Sequence, residues 1–149
     1  MVAMIQINFS KHFTLEEVTR SDKANELEID NTLPSIYYMN AINVATMLLE
    51  PIRLHFGKPF SPLSWYRCES LNKAVGGSTK SDHMTASAVD IRVPKVSLIA
   101  LAEYIKESLV FDQLILEPTW VHVSYKKDNN RMQVLTKYAG GYYSGLVEA

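Results

Sequence analysis

The sequence holds a single cysteine, Cys68, so no internal disulfide can form and a cysteine-rich structural zinc site is excluded. Such usage suits folding in a reducing cytoplasm. Neither charge is in surplus: the formal net charge is −1, which favours neither nucleic acid nor an anionic membrane as a partner. No apolar run reaches the ~18 residues of a membrane span, so membrane insertion is not expected. Residues 1–10 lack the charged start, apolar run and small-residue cleavage site of an export signal. Repeats, low-complexity tracts and linkers are missing too, and the expectation is one domain over residues 1–149.

What is present is enough apolar material for a core, 47% of the chain, with helical patterning early and strand patterning late. Thr14 and Glu17 form a capping-box pair at the head of a helix whose buried side would use Phe13, Leu15 and Val18. Asp30, Asn31 and Pro34 mark a turn. Residues 35–55 predict one long helix, with Ile36, Met39, Ile42, Val44, Met47, Leu48 and Ile52 at helical spacing and Pro51 as a kink or break; Gly57 and Pro59 end it. A short strand is expected over 60–66, a helical turn over 69–75, a loop over 78–86, a strand over 88–93 and an amphipathic helix over 96–109. The last third reads as a β-meander of 111–116, 120–125 and 132–138. Together these predict an α+β fold, a small antiparallel sheet with flanking helices.

Two segments carry chemistry. In the first, His83 sits in a polar loop and Asp90 follows inside an apolar strand, between Val89 and Ile91. A carboxylate there needs a cationic partner, and Arg92 or Arg67 in a salt bridge is one answer. In the second, His122 stands mid-strand on the face shared by Trp120 and Ser124, where a histidine can simply be hydrogen-bonded core. Taken jointly, two histidines and one carboxylate are a catalytic zinc set, with a fourth position left for water. Hydrolysis needs a base, and Glu117, five residues before His122, is the candidate, with Asp112 as a rival and an ordinary turn carboxylate as the plain alternative. Arg67 offers a planar cation for an oxyanion or a substrate carboxylate. Ser81 could orient substrate or cap a turn.

The spacing Ser81-x-His83-x(6)-Asp90, with Ala88 two before the aspartate, resembles the S-x-H-x-x-G-x-A-x-D motif of the zinc D-Ala-D-Ala carboxypeptidases and L-alanyl-D-glutamate endopeptidases. Ser64-Trp65-Tyr66-Arg67, Leu71-Asn72 and Val75-Gly76-Gly77-Ser78 resemble the phage and prophage endolysin branch, as do Phe111-Asp112-Gln113-Leu114-Ile115 and the segment from Trp120 to Tyr125. The resemblance implies the Hedgehog/D-Ala-D-Ala peptidase fold, zinc held by His83, Asp90 and His122, and Arg67 as the arginine that binds substrate and stabilises the transition state. Ala86 replaces the motif glycine. Thr119 stands where many members carry the catalytic carboxylate, three residues before the second histidine.

The expected activity is therefore zinc-dependent hydrolysis of peptide bonds in peptidoglycan, with stem peptides as partners and Glu117 as the base. Which bond is cut stays open. The protein would be made in the cytoplasm and reach the wall after release or delivery, or ride on a virion. The alternative is a zinc-containing module of weak or no activity that binds cell wall or builds a phage particle, and Thr119 is the ground for it.

Overall fold

The computed structural model describes residues 5–148, so the start of the segment read for an export signal lies outside the described residues. The capping box forms as the sequence indicates. Thr14 N–H donates to Glu17 Oε1 at 3.1 Å and Glu17 N–H to Thr14 Oγ1 at 3.3 Å, opening α1 (Leu15–Thr19). A second short helix, α2 (Asp22–Glu26), follows under a Ser21 cap.

The long helix runs in four joined pieces: a 3₁₀ turn (Ser35–Tyr37), α3 (Tyr38–Val44), a π turn (Ala45–Leu49) and α4 (Glu50–Phe56). The π turn is the physical answer to Pro51. Proline has no N–H to give and its ring crowds the carbonyl four residues back, so widening the turn before it lets the helix continue. Gly57 closes the helix at φ 65, where a side chain would be strained. The buried stripe is Ala41, Val44, Ala45, Leu48, Leu49 and Ile52. Ile36, Met39 and Met47, expected to share it, are exposed instead, because the wider turn and the 3₁₀ start shift the helical phase. Among the described residues, no helix is long and apolar enough to cross a membrane.

After α5 (Glu69–Ala74) come β1 (Ala88–Ile91), α6 (Leu98–Ser108), β2 (Gln113–Leu116), β3 (Val121–Ser124), β4 (Gln133–Tyr138) and β5 (Gly141–Ser144). The sheet order is β1-β3-β2-β4-β5. The fold is α+β, but the sheet is mixed rather than antiparallel throughout: β2 and β4 are parallel. Nor is the end of the chain a simple meander. β2 lies between β3 and β4, so the chain leaving β3 only has to pass over the start of β2. Asp112 holds that passage. Its buried carboxylate accepts from the Arg131 backbone N–H at 3.0 Å and from the Arg131 guanidinium at 2.8 Å.

Two further differences have local causes. The segment expected as a strand over 60–66 makes only a bridge, Ser64 against Asp90, since Pro62 cannot donate to a ladder. β5 escaped the sequence reading because its hairpin turns on Ala139 and Gly140, at φ 50 and 79. That two-residue turn usually advertises itself as Asn-Gly.

Strand periodicity sorts the sheet into two faces. Leu114, Leu116, Val121 and Val123 join Leu101, Ala102 and Ile105 of α6 in one buried apolar cluster. Each of the leucine, isoleucine and valine side chains contributes about 1.5–3 kcal/mol of burial. The alternate residues Ile115, Glu117 and His122 turn the other way and line a cleft.

Burial opposes the charge on Asp112, but the bonds from Arg131 outweigh it and hold its carboxyl below the usual carboxylate range. A group depressed in this way stabilises the fold above its unfolded pKa of ~3.9, and the contribution is lost as pH falls through the folded value. Asp112→Asn is expected to cost about 1–3 kcal/mol at neutral pH in urea titrations. Its stability should also fall less than that of the wild type between about pH 5 and pH 2. Parallel acid losses in the two proteins would show that Arg131 does not set the passage.

Candidate metal centre and cleft

The site begins with a register. In the antiparallel pair β1·β3, Asp90 stands directly opposite His122. The distance from His122 Nδ1 to Asp90 Oδ1 is 3.0 Å. The third member arrives on a tight turn. Ser81 Oγ accepts from the His83 backbone N–H at 3.2 Å, the 3₁₀ turn Asp82–Thr85 follows, and Ala86 ends it in the left-handed region at φ 60. A glycine would be at ease there; alanine stores strain. Trp65, buried like Ala86, donates its indole N–H to the Ala86 carbonyl at 3.2 Å and helps hold the conformation.

His83 is 1% exposed, and its orientation is set from behind. Nδ1 lies 2.6 Å from the Trp65 carbonyl, which can only accept, so Nδ1 carries the proton. Nε2 then presents its lone pair toward Asp90 Oδ1, 3.3 Å away. Burial pushes the imidazole pKa down, against a second proton, although Asp90 pulls the other way. Burial also opposes charge on Asp90, yet the contact with His122, above all, holds its carboxyl far below the ordinary range. An ionised carboxylate facing a nitrogen lone pair is an arrangement that a cation between them relieves. Ligand atoms of His83, Asp90 and His122 all lie within 4.8 Å of one another, and among the described residues this is the one such group that could hold a metal ion. The donor set fits zinc, and the carbonyl behind His83 is the usual kind of support for a metal-bound histidine.

These groups open onto a polar cleft of about 620 Å³ that Arg67, Ser81, Glu117 and Trp120 also line. Arg67 is placed by its neighbours. Its backbone N–H donates to the His83 carbonyl at 3.0 Å and that of Tyr66 to the Val18 carbonyl at 2.9 Å. Among the described residues, Arg67 Nε and Glu117 Oε2 are buried with no hydrogen-bond partner. For Glu117 the nearest cation is Lys137, at 3.9 Å from Oε2. Burial raises the Glu117 pKa, Lys137 lowers it and the Asp90 charge raises it again, with a net shift upward.

The structure therefore gathers Arg67, Ser81, His83, Asp90, Glu117 and His122 around one cleft. Asp112 is spent on Arg131 and does not line it. Thr119 is exposed in the turn before β3. Ser81 acts as a cap, with its hydroxyl proton left to donate. Asp90 is not paired with Arg92 at ion-pair distance; its close partners are the two histidines.

Several supporting residues were not singled out as such in the sequence. Asn31 is more than a turn marker: its amide donates to the Thr19 and Tyr66 carbonyls, both at 3.0 Å, and accepts from the Cys68 N–H at 2.8 Å. Gly77 packs on Asn72, where a Cβ would collide with Asn72 Oδ1, and Gly76 stands in the left-handed region at φ 74, so the two glycines have different reasons. Lys137 and Tyr142 line the cleft from β4 and β5. No local pattern marks those two, since their place depends on which strand lies beside β2.

A small mixed sheet whose open face carries two histidines and one carboxylate able to hold a metal ion, beside a carboxylate oxygen and a guanidinium nitrogen that lack hydrogen-bond partners, has the makings of a hydrolase-like site. The family model described as Peptidase M15 matches residues 11–124, and the chain belongs to that family. Comparison with curated proteins gave no match. The matched span holds Arg67, His83, Asp90, Glu117 and His122 and ends with Ser124, the last residue of β3; β4 and β5 lie beyond it.

Asn31→Ala should remove three hydrogen bonds that tie down the segment carrying Arg67. The expected loss is about 2–3 kcal/mol, because buried partners are left unsatisfied. Urea unfolding measures it. Wild-type stability in this variant would mean that Tyr66 and Arg67 are held by their own backbone bonds alone.

Proposed function

We propose that the chain is a zinc peptidase that hydrolyses peptide bonds in bacterial peptidoglycan. One observation carries this reading: His83, Asp90 and His122 converge in a cleft with a Glu117 carboxylate oxygen and an Arg67 nitrogen that have no hydrogen-bond partner. Membership of the Peptidase M15 family and the open, polar cleft support it.

His83, Asp90 and His122 would hold the zinc. When bound, zinc supplies a Lewis acid for a carbonyl oxygen and lowers the pKa of water. Glu117 Oε2 would accept the proton of the attacking water and pass it to the departing amide nitrogen, as a carboxyl with a raised pKa is suited to do. Arg67 would offer its guanidinium to the developing oxyanion or to a carboxylate of the stem peptide. Ser81 would donate its free hydroxyl proton to substrate. Peptides rich in carboxylates suit this cleft, which Arg67, Lys80, Lys126, Arg131 and Lys137 line.

Metal analysis of protein purified without chelator should give about one zinc per chain. Zinc should raise the thermal midpoint of the stripped protein, and His83→Ala and His122→Ala should abolish that rise. A protein that neither carries nor takes up zinc would end this reading of the centre.

Digestion of purified peptidoglycan, with released fragments identified by mass spectrometry, tests the chemistry. Glu117→Gln should keep zinc and be nearly inactive. Arg67→Ala should keep zinc and lose about 10²–10³-fold in turnover, the scale of a lost oxyanion donor. Normal turnover in Glu117→Gln would remove Glu117 from the reaction.

A further inference from the structure

We propose that Lys137 is a positioning residue that aims Glu117 into the cleft, and that the β4–β5 hairpin holds it there through Tyr142. The proposal rests on the role given to Glu117 above.

Glu117 follows β2 directly, and its Oε2 is buried without a hydrogen-bond donor. A buried carboxylate oxygen without a donor is costly, and little then selects one terminal rotamer over another. The one salt bridge that Glu117 makes among the described residues is with Lys137, Nζ to Oε2 at 3.9 Å. That distance is too long for a hydrogen bond, but at ion-pair range it favours rotamers that keep Oε2 near Nζ.

The sheet explains why a lysine is found there. In the parallel pair β2·β4, Leu116 is the partner of Thr136, so the next residues, Glu117 and Lys137, come side by side. In the antiparallel pair β4·β5, Lys137 is the partner of Tyr142. Lys137 Nζ lies 5.6 Å from the centre of the Tyr142 ring, a cation–π distance. Tyr142, Lys137 and Glu117 thus form a row across neighbouring strands, and all three line the cleft. A lysine has four rotatable stem bonds, and the aromatic face on one side and the carboxylate on the other restrict where its charge rests.

The hairpin lies outside the matched span of residues 11–124, so this wall of the cleft comes from a part of the chain that the family match does not reach. Its burial pattern agrees with a functional edge. Lys137 is only half-buried and Tyr142 is exposed, so neither is needed to fill the core.

The test compares the full-length zinc protein with Lys137→Met, Lys137→Arg and Tyr142→Leu. Crystal structures of the wild type and Lys137→Met give a readout that does not depend on turnover: Glu117 should point at the metal centre in the first and leave that rotamer in the second. On peptidoglycan fragments, Lys137→Met should lose about 10–100-fold in kcat, the scale of a misplaced reacting group, with KM nearly unchanged. Lys137→Arg should recover most of the loss, and Tyr142→Leu should show a smaller loss of the same kind. A rise in KM at unchanged kcat would overturn the proposal and make Lys137 a substrate anchor. An unmoved Glu117 with normal kcat would overturn it as well. If the wild type cleaves no peptidoglycan peptide, the proposed function fails, and the Glu117 rotamers in the two structures still decide the role of Lys137.

Discussion

Asp90 faces His122 across the β1·β3 ladder, and the centre depends on that pairing more than on any other contact. Moving the register by one residue would turn one of the two side chains to the opposite face, into the apolar layer against α6. The buried positions around them prevent the slip. Val89, Ile91, Val121 and Val123 are all within the core cluster, and each would have to leave it. The hydrophobic face of the sheet thereby sets the geometry of the polar one.

The same pairing creates an electrostatic problem that the rest of the site answers. A buried carboxylate with two imidazoles beside it is expensive unless positive charge is shared among them. The Trp65 carbonyl fixes which nitrogen of His83 carries its proton, and so fixes which one faces Asp90. Trp65 is in turn pinned by its indole bond to Ala86. Residues distant in sequence thus reach the candidate metal centre through two hydrogen bonds. This is why the short Ser64 to Arg67 stretch shapes the candidate site although it forms only a bridge with the sheet.

Carboxylates in this chain divide by what they meet. Asp112 meets Arg131 and becomes a structural clasp for the path from β3 to β4. Glu117 meets no hydrogen-bond donor among the described residues and keeps an oxygen available in the cleft. Both follow from one topological fact, the insertion of β2 between β3 and β4. The start of β2 lies under the crossing segment, and its end lies in the cleft.

The local chemistry was legible without the fold. The Thr14–Glu17 cap, the end of the long helix at Gly57 and the helix within 96–109 depend on neighbours in sequence, which share a few residues of backbone. The tight loop before β1 and the alternation of His122 with apolar neighbours were visible for the same reason. The order of strands was not, because a strand's pattern reports which face is buried and is silent about which strand lies beside it. Tertiary structure alone decided that β4 runs parallel to β2, that Asp112 is occupied and Glu117 is not, and that Lys137 stands beside Glu117. Those choices rest on contacts between residues far apart in the chain, whose energies exist only once the sheet has closed around its core.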